Sequence, residues 1–202
     1  MKAKIAVIYY SSTGNVYKLA KAIAQGAEEQ GAEVRLRRVP ELAPDEAIQK
    51  NTAWWEHHLM EEQSVAVATL DDLDWANGIA MGTPTRFGNM ASQLKQFIDT
   101  TGGLWAQGKL ANKAVTSFTA TMNRHGGQES TILSMNNVFY HWGCVIVPPG
   151  YTDPQIFKSG GNPYGTSIYD NLPSDQGESV LESAKYQGKR LAKFAKALLT
   201  IE

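Results

Sequence analysis

KIAVIYYSSTGNVYKLAKAIAQGAEEQG, residues 4–31, decides the fold. Its first part, through Ile5, Val7, Ile8, Tyr9 and Tyr10, is a continuous β-branched and aromatic run rather than an alternating one, the pattern of a strand covered on both faces. Its second part places Val16, Leu19, Ala20, Ile23, Ala24 and Ala27 at i, i+3, i+4, i+7, i+8 and i+11, one apolar face of an amphipathic helix that Gly31 ends. The polar turn Ser11-Ser12-Thr13-Gly14-Asn15 joins them. A buried strand leading through a polar turn into a helix is the opening unit of a parallel sheet with helices on both faces.

The same unit recurs outward from this stretch. Glu33 to Val39 reads as a strand nearer the sheet edge, because basic neighbours alternate with Val34 and Leu36. Residues 40–70 are irregular and read as a short helix and an excursion. A short strand, Gly78 to Gly82, then leads through TPTRFGN to a helix with Met90, Leu94, Phe97 and Ile98 on one face and Asn89 as its N-cap. Lys113 to Thr119 forms a strand, TATMNRHGG its loop and Gln128 to Trp142 a helix; Cys144 to Val147 is a fifth strand, stopped by Pro148 and Pro149. Roughly thirty residues rich in Gly, Pro, Asn and Ser precede the last helix, Glu178 to Leu199, and a stretch of that length usually serves function or an interface. The expected fold is therefore α/β: a doubly wound, five-stranded parallel sheet of order 2-1-3-4-5 with helices on both faces, one domain over residues 1–202. Its ligand is expected beyond the carboxyl ends of the strands, at the switch point.

Composition narrows the partners. With 19 Lys and Arg against 20 Asp and Glu, the formal charge of -1 gives no electrostatic reason to expect nucleic acid or an anionic membrane. The one cysteine, Cys144, excludes an intrachain disulfide and fits a reducing, cytoplasmic location. The apolar run after Met1 is too short for a signal-peptide core, and no stretch approaches the roughly 20 apolar residues of a membrane span. His57 and His58 with Glu61 and Glu62 supply no metal site, since adjacent helical histidines point in different directions. Trp54 and Trp55 read either as a subunit contact or as two partly buried aromatics, and Cys144 as core.

Three polar loops carry the chemistry. In the first, unpaired main-chain N–H groups at a helix start, with the hydroxyls of Ser11, Ser12 and Thr13, form an anion cradle that needs no lysine. It lacks the GK[ST] of a triphosphate loop and the G-x-G-x-x-G of a dinucleotide fold, which favours a phosphomonoester such as that of FMN. An ordinary Ser/Thr-capped helix start has the same composition. In the second loop, Pro84, Thr85, Arg86, Phe87 and Gly88 combine a rigid turn, an aromatic and a glycine that lets backbone approach a flat ring, and Arg86 can oppose charge on a reduced flavin. A plain connection with a surface arginine is the alternative. The third loop, Thr119 to Gly127, offers small and polar groups for a ring edge.

Beyond the loops, YYSSTGN (9–15), RRVPE (37–41), GTPTRFGNM (82–90), TGGLWAQG (101–108), GGQE (126–129), VIVPPGY (145–151), GGNPYG (160–165) and AKYQGKR (184–190) run nearly end to end. In these motifs the chain resembles the WrbA-type NAD(P)H:quinone oxidoreductases, a flavodoxin-like family first named for tryptophan repressor binding. The resemblance implies that Ser11, Ser12, Thr13, Gly14, Asn15 and Val16 hold the phosphate and ribityl chain of FMN, and that Thr85, Arg86 and Phe87 flank its ring. Ala120, Thr121, Met122, Asn123 and Gly126 match the stretch along the other edge, while Trp105 and His141 match residues of the substrate pocket and flavin site. His141 is also a candidate proton donor, with bulk water as the alternative; on its own, a histidine at a helix end often just caps carbonyls. Thr13 stands where relatives carry a tyrosine near the nicotinamide, and TATMNRHGG replaces their glycine-rich STGTGGG.

The resemblance further implies NADH or NADPH and small quinones as substrates, a ping-pong exchange on one ring face, and a homotetramer with residues 148–177 and 50–68 near subunit contacts. A one-electron carrier of the plain flavodoxin kind is a rival reading, disfavoured by the small net charge and by the TGGLW and GGNPYG segments. An interaction protein, suggested by the family's old name, finds no basic groove or DNA-reading motif to support it.

Overall fold

A computed structural model of the chain describes residues 1–170, 172 and 174–200. Strand β1 (Lys4–Tyr9) is the sheet's centre, with Ile5 to Tyr9 fully buried as its continuous apolar run predicts. It pairs in parallel with β2 (Glu33–Arg38) on one side and β3 (Gly78–Arg86) on the other. Beyond β3 lie β5 (Ala114–Thr121) and the short β6 (Val145–Ile146), giving β2-β1-β3-β5-β6, the expected order of the five main parallel strands. Two short strands are additional: β4 (Asn89–Met90) folds back antiparallel on β3, and β7 (Ser167–Tyr169) adds in parallel to the far end of β5.

Alternate residues of β1 face opposite layers. Ile5, Val7 and Tyr9 pack with α1 (Asn15–Glu29) and α9 (Ser174–Leu198), whereas Ala6 and Ile8 face the side of α4 (Leu70–Trp75), α5 (Ser92–Asp99) and α7 (Gln128–Trp142). Helices α1 and α9 meet backbone to backbone. A methyl group on Gly26 would stand 1.9 Å from the carbonyl oxygen of Lys185, and one on Gly188 would stand 2.0 Å from that of Ile23. This reciprocal glycine pair sets the spacing of the layer behind the first loop.

Several expectations change where long-range contacts decide. Residues 40–70 hold α2 (Asp45–Ile48), α3 (Thr52–Ser64) and the start of α4, which a Thr69–Asp72 capping box begins. Asn89 is no N-cap: Phe87 (φ 55°) and Gly88 (φ 77°) make a two-residue turn, so Asn89 pairs with Arg86 in the β3–β4 hairpin and α5 begins only at Ser92, after Ala91. The stretch 148–177 is not structureless: it contains α8 (Pro154–Lys158) and β7, while its positions 171 and 173 lie outside the described residues. Cys144 is half-buried against the Leu110 carbonyl, and burial pushes its thiol up to about 12. No helix among the described residues is long and apolar enough to cross a membrane.

Helix α3 carries little amphipathic pattern and is tied to the sheet by polar contacts instead. Glu41 accepts from Tyr10 Oη at 2.6 Å, Gln93 Nε2 at 2.6 Å and Trp54 Nε1 at 3.0 Å, and from the amides of Leu42 and Ala43. Burial pushes its carboxyl up, but the Tyr10 hydroxyl, the Ala43 amide and the other donors outweigh it, holding Glu41 below the usual carboxylate range.

Two stability outcomes follow from this packing. Gly188→Ala forces carbonyl and methyl apart and is expected to cost about 2–4 kcal/mol, roughly 5–15 °C in Tm, whereas Gly103→Ala, with open space around it, leaves the melt unchanged. Glu41→Gln is expected to lose about 1 kcal/mol near neutral pH, a figure discounted for its partial exposure. Because the folded-state pKa is depressed, that contribution exists above the ordinary carboxylate range and disappears as pH falls through the folded value, so urea melts of the two proteins should converge in acid.

Candidate functional site

The carboxyl ends of β1, β3 and β5 open onto a cleft of about 640 Å³. Ser11, Ser12, Thr13, Asn15 and Val16 line it from the first loop, Pro84, Thr85, Arg86 and Phe87 from the second, and Ala120, Thr121, Met122, Asn123 and Gly126 from the third. Gly14 and Gly88 shape these loops through their positive φ values without lining the cleft.

In the first loop Gly14 (φ 95°) is the N-cap of α1 and brings no side-chain cap. The hydroxyl of buried Ser11 accepts from the amides of Gly14 (3.1 Å) and Tyr17 (3.4 Å), so its oxygen is engaged in folding the turn. Among the described residues, the amides of Ser12, Thr13, Asn15 and Val16 and the hydroxyls of Ser12 and Thr13 have no hydrogen-bond partner. Converging unpaired donors at the start of a 15-residue helix, with no basic side chain in the loop, fit a phosphomonoester. Asn15 donates through Nδ2 to Asp170 Oδ1 at 2.7 Å, which puts a carboxylate acceptor on the cleft wall beside them.

The second loop is a seated hairpin rather than a free connection. Thr85 Oγ1 accepts from the Gly88 amide (3.1 Å) and from Thr131 Oγ1 (2.9 Å). Gly88 lies so close to Gly127 that a methyl group on Gly127 would stand 2.8 Å from the Gly88 Cα. The turn holds Phe87 in the left-handed region, uncommon for a bulky residue, and leaves its ring fully exposed at the cleft. Arg86 is also exposed, with Nη1 donating to the Thr85 carbonyl at 3.0 Å.

The third loop is held from below. Thr121 Oγ1 donates to the Asn123 carbonyl (2.7 Å) and accepts from Gln128 Nε2 (3.2 Å). Gln128 in turn accepts from Ser167 Oγ (2.7 Å), which accepts from Asn162 Nδ2 (3.0 Å). This chain of bonds couples the cleft to the GGNPYG segment, a link that sequence spacing does not reveal.

Trp105 and His141 do not line the cleft. Trp105 sits on α6 (Gly102–Ala106), 56% exposed, and its indole Nε1 donates to the His141 carbonyl at 2.9 Å near the end of α7. Sequence reasoning missed Asn51, the N-cap of α3, and Asp170, which follows β7; both line the cleft. The only local signal for either was the Asn51-Thr52 pair ahead of the tryptophans.

Residues 3–156 match the family described as NADPH-dependent FMN reductase. A protein of Deinococcus radiodurans named NAD(P)H dehydrogenase (quinone) is 44% identical over 97% of this chain and 97% of its own length. NAD(P)H dehydrogenase (quinone) 3 of Rhizobium meliloti is 46% identical over 96% of this chain and 93% of its own. Among solved structures, a WrbA-like flavodoxin from Agrobacterium tumefaciens superposes with a TM-score of 0.68 at 22% identity, covering 96% of this chain and 98% of that one, a likeness of fold. The profile match and the near full-length identity to these relatives establish that the chain belongs to the NADPH-dependent FMN reductase family and, within it, groups with the NAD(P)H dehydrogenases (quinone).

Proposed function

We propose that the chain is an FMN-dependent NAD(P)H:quinone oxidoreductase, acting as one flavin-binding domain over residues 1–202. The observation that carries this reading is the set of unpaired amides at the start of α1, opening into a cleft walled by the exposed Phe87. The chemistry that bound FMN supplies is transfer of a hydride from NADH or NADPH, and of that electron pair with two protons to a quinone, yielding the hydroquinone.

The chain's own residues bind and orient. The main chain from Ser12 to Val16 and the hydroxyls of Ser12 and Thr13 take the phosphate, and Asn15 and Asp170 face the polyol. Thr85, Arg86 and Phe87 flank the ring on a hairpin that α7 keeps fixed, and the Arg86 guanidinium offsets negative charge there. Ala120, Thr121, Met122, Asn123 and Gly126 close the other edge. Phe87 and Met122, both exposed side chains of the cleft, would border a single opening to which nucleotide and quinone come in turn, which supports a ping-pong exchange.

Trp105 and His141 act on the cleft of a neighbouring copy in a homotetramer, Trp105 by stacking on substrate and His141 by lining the site and offering a proton. The support is their exposure away from the chain's own cleft, together with the exposure of Tyr140 and of the stacked pair Tyr151 and Phe157. The segments 148–177 and 50–68 lie near those contacts. The lone cysteine and near-zero charge support a cytoplasmic setting with no nucleic-acid or membrane partner.

Initial rates with NADH or NADPH and benzoquinone are expected to give parallel double-reciprocal lines. A stable blue semiquinone without turnover would instead identify a carrier, and a colourless protein indifferent to added FMN an interaction protein. Trp105→Ala is expected to retain full flavin content but lose about tenfold in kcat/KM for the quinone. Sedimentation should show activity falling with dilution below the tetramer; full activity in a monodisperse monomer would contradict the shared site.

A further inference from the structure

Against the first loop lies a buried polar cluster that the flavin reading does not use. His57 of α3 is 9% exposed, and its ring is the nearest group to the left-handed Gly14: a methyl group there would stand 3.5 Å from His57 Nδ1. The other ring nitrogen, Nε2, approaches Glu61 Oε1 at 3.1 Å off the N–H axis, so it is buried without an aligned hydrogen-bond partner. Glu61 is itself buried, and the same oxygen accepts the Tyr9 hydroxyl at 2.6 Å. That oxygen accepts the phenol hydrogen bond, and a carboxyl buried in this way calls for a basic partner beside it. His57 is the basic side chain within reach of it.

The geometry points to His57, held as an imidazolium by Glu61, as a positioning residue for the phosphate, adding a buried positive charge behind the N-terminus of α1. This rests on the phosphate placement proposed above. The loop itself has no lysine or arginine, and the helix start and His57 add positive potential to that of Arg86, which lines the same cleft. The groups facing His57 are Glu61 on its own helix, Tyr9 of β1, and Tyr17 of α1, whose ring centroid lies 5.6 Å away with Lys21 over its outer face. Arg38 of β2 bears on Tyr9 from behind, and Asp170 bounds the cleft beyond Asn15. None of these takes the place of His57 beneath Gly14.

The test compares FMN with riboflavin, which lacks the phosphate, in equilibrium titrations of the full chain freed of flavin. For the unmodified protein, the ratio of FMN to riboflavin affinity is expected to fall about three- to tenfold between about pH 6 and about pH 9 as the imidazolium is lost. Ionisation of the phosphate itself pushes the ratio the other way. His57→Gln is expected to lower FMN affinity by a similar factor at about pH 6, to spare riboflavin, and to abolish the fall with pH. A ratio that never falls with pH in the unmodified protein overturns the inference, and so does a His57→Gln protein that weakens both flavins equally, which marks packing alone. Should the variant fail to fold, the unmodified protein still decides. A chain that binds neither flavin contradicts the functional reading as well, whereas one that binds FMN tightly with a flat ratio contradicts this inference alone.

Discussion

The site depends on how the chain leaves β1. Between Tyr10 and Val16 the backbone must change from a strand buried on both faces to a helix, and it does so while leaving the amides of Ser12, Thr13, Asn15 and Val16 without acceptors among the described residues. Unpaired main-chain donors are costly when buried and harmless when solvated, so such a turn persists only at an opening. A bound oxyanion would give these donors charge-assisted partners. The rest of the molecule holds these donors still.

That support comes from three directions. The glycine pair between α1 and α9 lets the helix behind the loop lie against its neighbour at backbone distance. Polar anchors from α3, through Glu41 to Tyr10 and through Glu61 to Tyr9, fix the last residues of β1 before the turn. From the far side, the β3–β4 hairpin and the third loop are braced on α7 by Thr131, Gln128 and the contact of Gly88 with Gly127. Catalysis on a flavin asks the protein for orientation and electrostatics more than for reactive side chains, and a rigid cradle with few charged groups answers that demand.

The legible parts of the sequence were those governed by local pattern. The continuous apolar run of β1, the spacing along α1 and the span of α7 are properties of short windows, and they led to the sheet order and to the three loops that meet at the cleft. Features set by distant partners were not legible. Phe87 is a residue type that rarely accepts positive φ, so nothing local announced the turn that moved Asn89 from a helix cap into a strand. Helix α3 hides its role because its buried face is polar, His57 and Glu61, and hydrophobic periodicity is blind to it. Asn51 and Asp170 reach the cleft from segments far apart in the chain, and the union of Trp105 with His141 depends on how α6 sits against α7.

The central claim is that open main-chain donors after Tyr10 hold a phosphate. Amide hydrogen exchange resolved by residue, recorded with and without saturating FMN and with riboflavin as the phosphate-free control, tests it most directly. The account predicts that the amides of Ser12, Thr13, Asn15 and Val16 slow by at least about tenfold with FMN and far less with riboflavin. Equal exchange at these positions in all three samples, with FMN demonstrably bound, would contradict it.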